Sequence, residues 1–112
     1  MSTATPILHL ATEADWAAAD IAYTPSGLAE DGFVHCSAPH QIATVAEARF
    51  AGRTDLVLLT IDPNLLTAPV VWEDLAGEGE DFPHVYGPIE RAAVLEVRPY
   101  RPGPDGHFPR PL

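Results

Sequence analysis

The chain has 112 residues, 46% of them apolar and 20% charged, which is the size and mix of one globular domain. Its formal net charge is −10, with six arginines and no lysine, so neither a phosphate-neutralising nucleic-acid surface nor an anionic membrane is an expected partner. A lone cysteine, Cys36, excludes an intramolecular disulfide framework and a cysteine-cluster zinc site, and it fits a reducing cytoplasm.

The opening Met-Ser-Thr-Ala-Thr-Pro has neither a basic n-region nor a long apolar h-region, so no secretory leader is expected there. Pro6 to Leu10 reads as a first strand. Thr12-Glu13-Ala14-Asp15 has the form of a capping box, which starts a helix through Trp16. Tyr23 to Gly27 breaks it. Gly32 is a turn or cap ahead of a second strand, Phe33 to Ser37. Ser37-Ala38-Pro39 supplies a capping hydroxyl and then a proline where no amide donor is needed, and Ile42, Val45, Ala46 and Phe50 recur at helical spacing up to Gly52.

Leu56 to Ile61 is an unbroken apolar run, the pattern of a central strand buried on both faces. Asp62-Pro63-Asn64 is a turn, and Val70 to Glu73 is a further strand. Asp74 to Asp81 is acidic and glycine-rich and reads as a mobile loop. His84 to Tyr86 is short and extended, and Ala93 to Val97 is the last strand. From Pro99 to Leu112 five prolines favour an extended surface path or disorder. One domain spans 1–112, with its core at about 6–100 and a proline-rich tail over 101–112. The strands are not separated by regular helices, so the class is α+β: a small, twisted, split β-sheet with two main helices.

Three of the five histidines, His9, His35 and His84, stand inside strands. Alternation puts Phe33, His35 and Ser37 on one face and Val34 and Cys36 on the other, and it puts His84 with Tyr86. A polar face of this kind suits a cleft. Imidazole can move protons near neutral pH, hold a ribose hydroxyl or ligate a metal. Each histidine taken singly fits a structural role, whereas the set points to a site. His35 and His84 are the catalytic candidates, and His9, Ser37 and Tyr86 the substrate-binding ones. Ser37 also has a sufficient structural role as a helix cap. His40 reads as a surface residue and His107 as inert.

Cys36 lies on the face opposite His35, so a Cys-His dyad is not expected and a buried thiol is. Trp16 and Trp72 offer stacking surfaces, but core or rim packing is the commoner use of tryptophan. The acidic loop lacks the ligand spacing of a calcium-binding EF-hand loop. Glu73 is a weaker general acid or base candidate. Arg49 and Arg53 read as solvated charges at a helix end.

Four strings carry a resemblance: Ile7-Leu8-His9-Leu10-Ala11-Thr12, Gly32-Phe33-Val34-His35-Cys36-Ser37, Thr54 to Pro63, and Phe82-Pro83-His84-Val85-Tyr86-Gly87-Pro88. In this order, from Pro6 to Tyr100, they resemble the bacterial family labelled domain of unknown function 952. That family looks like a compact relative of the ADP-ribosyltransferase fold, a split sheet around a nicotinamide-dinucleotide cleft. The resemblance implies that His9 holds a ribose, that His35 stands near a ring-stacking position, and that His84 stands near a catalytic glutamate. A histidine at 84 lacks the negative charge that a carboxylate offers an oxocarbenium ion, which argues against ordinary protein ADP-ribosyl transfer. The basic site residues of the related RNA 2′-phosphotransferases are not evident.

Three functions compete. The first is an enzyme or pseudo-enzyme, a transferase or hydrolase, that binds NAD or an ADP-ribosylated compound among His9, His35 and His84. The second is a zinc hydrolase using the same three imidazoles, although no His-x-x-x-His pair supports it. The third is a non-catalytic module whose acidic surface docks a basic protein.

Overall fold

In the computed structural model, residues 5–110 are described; Met1 to Ala4 of the opening segment, and Pro111 and Leu112 of the tail, lie outside them. Eight strands and three short helices run in the order β1 (Ile7–Thr12), α1 (Glu13–Ala18), β2 (Ala22–Tyr23), α2 (Ser26–Asp31), β3 (Val34–His35), α3 (Ile42–Phe50), β4 (Leu56–Ile61), β5 (Val70–Glu73), β6 (Phe82–Val85), β7 (Ile89–Glu90) and β8 (Val94–Tyr100). The strands form three antiparallel sheets, ordered β1-β4-β8, β2-β7 and β3-β6-β5. The class is α+β.

β4 is the middle strand of the first sheet, as its apolar run requires. Its two faces feed two cores. Val57, Leu59 and Ile61 pack with Ile7, Val34 and Val85, while Leu56 and Leu58 pack with Leu8, Ile42 and Tyr100 under α3. Two-sided burial leaves no place for a polar face, which is why alternation is absent here and present in β3.

The Thr12 hydroxyl accepts from the Asp15 amide at 3.1 Å and starts α1 as expected. The cap at Ser37 does not form. A 3-10 turn, Pro39–Gln41, precedes α3; its entry is held by the Gln41 side-chain carbonyl, which accepts from the Ala38 amide at 2.8 Å. Ser37 instead spends its backbone on a bridge to Leu8. The helix α2 starts at Ser26, inside the Tyr23–Gly27 stretch read as a breaker, with Pro25 at its N-cap, and ends at Gly32, whose φ of 82° is the left-handed conformation that glycine adopts without strain. Among the described residues no helix is long and apolar enough to cross a membrane.

The proline-rich tail is anchored rather than merely laid over the surface. Phe108 is 6% exposed and stacks on Tyr100 at 5.2 Å between ring centroids. Its amide donates to Glu47 of α3 at 2.5 Å, and the Tyr100 hydroxyl donates to the Pro109 carbonyl. The tail therefore closes the second core. Phe108→Ala is expected to cost about 3 kcal/mol, as emptying a buried aromatic site does. His107→Ala, one residue away but exposed, is expected to change stability by less than about 0.5 kcal/mol. Urea unfolding of the two variants beside the parent chain checks this, and equal stabilities would show that the tail adds nothing to the core.

Candidate functional site

A cleft of about 590 Å³ opens where β1, α3, the β3-β6-β5 sheet and the acidic loop meet. His9, His35, Ser37, Glu73 and His84 all line it. Short-range alternation put Phe33 and His35 on one face, and the structure makes His35 and His84 cross-strand partners of β3 and β6. Their rings meet edge-on at 5.5 Å, and Phe33 stacks on His84 at 4.1 Å.

His84 is 5% exposed, and its Nδ1 lies 2.8 Å from Glu73 Oε2. The carboxylate can only accept, so Nδ1 carries the proton. Nε2 is then the basic nitrogen, and no hydrogen bond among the described residues engages it. The Tyr86 hydroxyl donates to the same oxygen, Glu73 Oε2. Those two bonds, Tyr86 first and His84 second, hold the Glu73 carboxyl below the usual carboxylate range. Glu73 Oε1 has no such partner. Tyr86 is not on the cleft wall; it braces Glu73 from behind and touches Phe33 at 5.3 Å.

His35 is backed in the same manner, with Nε2 2.8 Å from Asp31 Oδ2 at the end of α2. This pair is far more exposed, at 41% and 46% of its side chains. His35 and His84 thus each carry a carboxylate partner and one free nitrogen, and the better-shielded of the two is His84.

His9 is placed differently from expectation. Its Nδ1 donates to the His35 carbonyl at 2.6 Å, and its Nε2 accepts from the Tyr23 hydroxyl at 2.8 Å. Both nitrogens are spent inside the protein, so His9 has none left for a sugar hydroxyl. Burial pushes its pKa down to about 4, so the ring is neutral at physiological pH. The three-imidazole metal site fails for this reason, and among the described residues no group of three or more His, Cys, Asp or Glu side chains is placed to hold a metal ion. Cys36 is buried in the first core, and burial pushes its thiol up, away from nucleophilic use.

Neither tryptophan lines the cleft. Trp16 packs near Tyr23 with the Arg91 guanidinium 4.3 Å above its ring, and Trp72 stands exposed on β5. His40 is exposed, and His107 is an exposed partner of Glu47 at 3.2 Å.

Two groups have no side-chain signal at all. Leu8 exchanges both backbone bonds with Ser37, at 2.8 and 2.7 Å, so it faces away from β4. Backbone direction alternates along a strand, so Leu10 turns its N–H and C=O the same way, to the edge of β1 on the His35 side of Ser37. Leu10 lines the cleft, and apart from the bridge at Leu8 no strand among the described residues pairs with this edge of β1. Buried backbone groups are nearly always paired, so a free donor and acceptor side by side mark a place for a ligand or water.

The family described as "Protein of unknown function (DUF952)" matches residues 10–97, and the chain belongs to that family. It is also similar to protein CC0527 from Caulobacter crescentus. The crystal structure of that protein is 30% identical, with a TM-score of 0.83 over 94% of each chain. Its solution NMR structure is 31% identical, with a TM-score of 0.80 over 96% of this chain and 93% of the other. No curated protein matches.

The buried neutral His9 makes stability depend on pH with a definite sign. Above pH 6.5 the ring is neutral both folded and unfolded. Between 6.5 and about 4 only the unfolded chain takes the proton, so stability falls as pH falls through that window. The parent chain is expected to lose about 3 kcal/mol more than His9→Gln across it, from the ~1.4 kcal/mol attached to each pH unit. Urea titrations at several pH values check this, and identical slopes for the two proteins would mean that His9 is not held neutral.

Proposed function

We propose that this member of the family binds NAD or an ADP-ribosylated compound in the cleft, in the manner of a compact ADP-ribosyltransferase-like fold. The observation that carries the reading is the open edge at Leu10. An N–H and a C=O on one strand residue, facing the same way, match the acceptor and donor of a primary carboxamide such as that of nicotinamide. The neighbouring wall of Phe33 and His84 offers the aromatic surface that a flat ring needs.

Glu73 answers the objection raised by a histidine at position 84. The carboxylate comes from β5 instead of β6, and His84 and Tyr86 hold it ionised with Oε1 free. In this reading Oε1 accepts from a ribose hydroxyl and its charge favours positive charge growing on the sugar as nicotinamide leaves. The ribose–nitrogen bond breaks, neutral nicotinamide departs, and water attacks the sugar while His84 Nε2 takes its proton. His9 contributes by holding the His35 carbonyl and Tyr23, not by touching the sugar.

Adding NAD or free nicotinamide is expected to shift the Leu10 amide and the His84 ring in NMR spectra while leaving His107 unmoved. Glu73→Gln is expected to weaken NAD about tenfold, the loss that goes with one hydrogen bond to a charged group. Slow release of nicotinamide from NAD, abolished by His84→Asn, is the expected turnover. If saturating NAD and ADP-ribose move neither resonance nor the Tm, the reading is wrong.

A further inference from the structure

The cleft is acidic: Asp15, Glu73, Asp74, Glu78 and Glu80 all line it. Such a lining repels a polyanion, so a ligand carrying phosphate needs a compensating cation. One arginine stands on the wall, Arg49 in the last turn of α3.

Arg49, like Arg110, differs from the other four arginines. Arg53 is bound through two nitrogens to Asp55 at 2.8 and 2.6 Å, Arg91 donates to the Ala19 carbonyl, Arg98 pairs with Glu96, and Arg101 donates to the Thr54 carbonyl. Among the described residues no hydrogen bond or ion pair engages Arg49. Arg49 is exposed at the cleft wall and paired with none of these carboxylates, so its guanidinium is free to grip a phosphate with two parallel N–H bonds. The second sign of a ligand is independent of it: His84, 5% exposed, keeps Nε2 unpartnered in the same cleft.

We propose, resting on the reading above, that Arg49 is the phosphate anchor that sets the direction in which a nucleotide lies. The ligand is dipolar. Its phosphate goes to Arg49 on α3, and its uncharged or cationic base and its sugar go to the carboxylate side, at Glu73 and His84. The substrate class is therefore a phosphorylated nicotinamide nucleoside, in preference to the bare nucleoside. In a site lined by acids this one contact decides between two otherwise similar ligands.

Calorimetry with nicotinamide riboside and nicotinamide mononucleotide tests this, because the two probes differ only by the phosphate. The parent chain is expected to bind the mononucleotide more tightly. Arg49→Gln is expected to weaken the mononucleotide about tenfold or more, the scale of a lost charged hydrogen bond, and to leave the riboside unchanged. Arg49→Lys, which keeps the charge and loses the fork, is expected to fall between. Added salt is expected to weaken the mononucleotide in the parent and to have little effect in Arg49→Gln. If Arg49→Gln binds both probes as the parent does, Arg49 is only a solvated helix-end charge and the proposal is overturned, while the nucleotide reading stands. If the parent binds neither probe, both are overturned.

Discussion

The architecture of the cleft depends on one neutral imidazole. His9 sits on β1 of the first sheet, donates to the backbone of β3 in the third, and accepts from Tyr23 on β2 in the second. Apart from this ring, the direct backbone link between β1 and the segment after β3 is the Leu8–Ser37 bridge. A charged imidazole cannot accept from Tyr23, so the arrangement holds only while burial keeps the ring unprotonated. The same bonds fix the tautomer. A carbonyl accepts only, so Nδ1 must carry the proton, and Nε2 must be the acceptor.

Joining the sheets at a point rather than along a ladder is what leaves room between them. Had β3 continued to pair along β1, Leu10 would have a strand partner and the edge would be closed. Instead the bridge is confined to Ser37: His35, which an antiparallel continuation would set opposite Leu10, pairs with His84 of β6 and gives its carbonyl to His9 Nδ1, so no ladder reaches the Leu10 backbone. The second wall is rigid for another reason. β6 runs between β3 and β5, so His84 has a strand on each side, and its ring is clamped by Phe33 on one face and by Glu73 at Nδ1. Its free nitrogen is thereby aimed by the frame and not by a chance rotamer.

Much of this was legible in the sequence wherever the governing interaction is local. The apolar run of β4, the Thr12 cap, the split of Phe33 and His35 from Val34 and Cys36, and the shared contacts of His84 and Tyr86 all follow from alternation or from a cap motif. What was not legible depends on pairing between distant segments. Glu73 looked like a weak candidate on a strand end, and only the β5–β6 register sets it diagonally beside His84. Tyr23 read as part of a breaker, and its role exists only because β2 passes behind His9. Leu10 offers a backbone group, which no side-chain pattern can announce. Phe108 sat among prolines in a tail, where a single aromatic was the one available signal of anchoring. Ser37 shows the opposite error: its composition favoured a cap, but the bridge to Leu8 claimed its backbone first.

The pairing of Glu73 with His84 gives the site a property that neither side chain has alone. With the carboxylate one strand away and bound to Nδ1, the site holds a negative charge and, beside it, an imidazole whose Nε2 no hydrogen bond among the described residues engages. Tyr86 completes the division of labour by donating to the same oxygen, which keeps Glu73 ionised and its other oxygen unclaimed. The three side chains are thus better read as one unit: removal of any one changes the charge, the tautomer or the orientation of the other two, so their effects are expected to be non-additive.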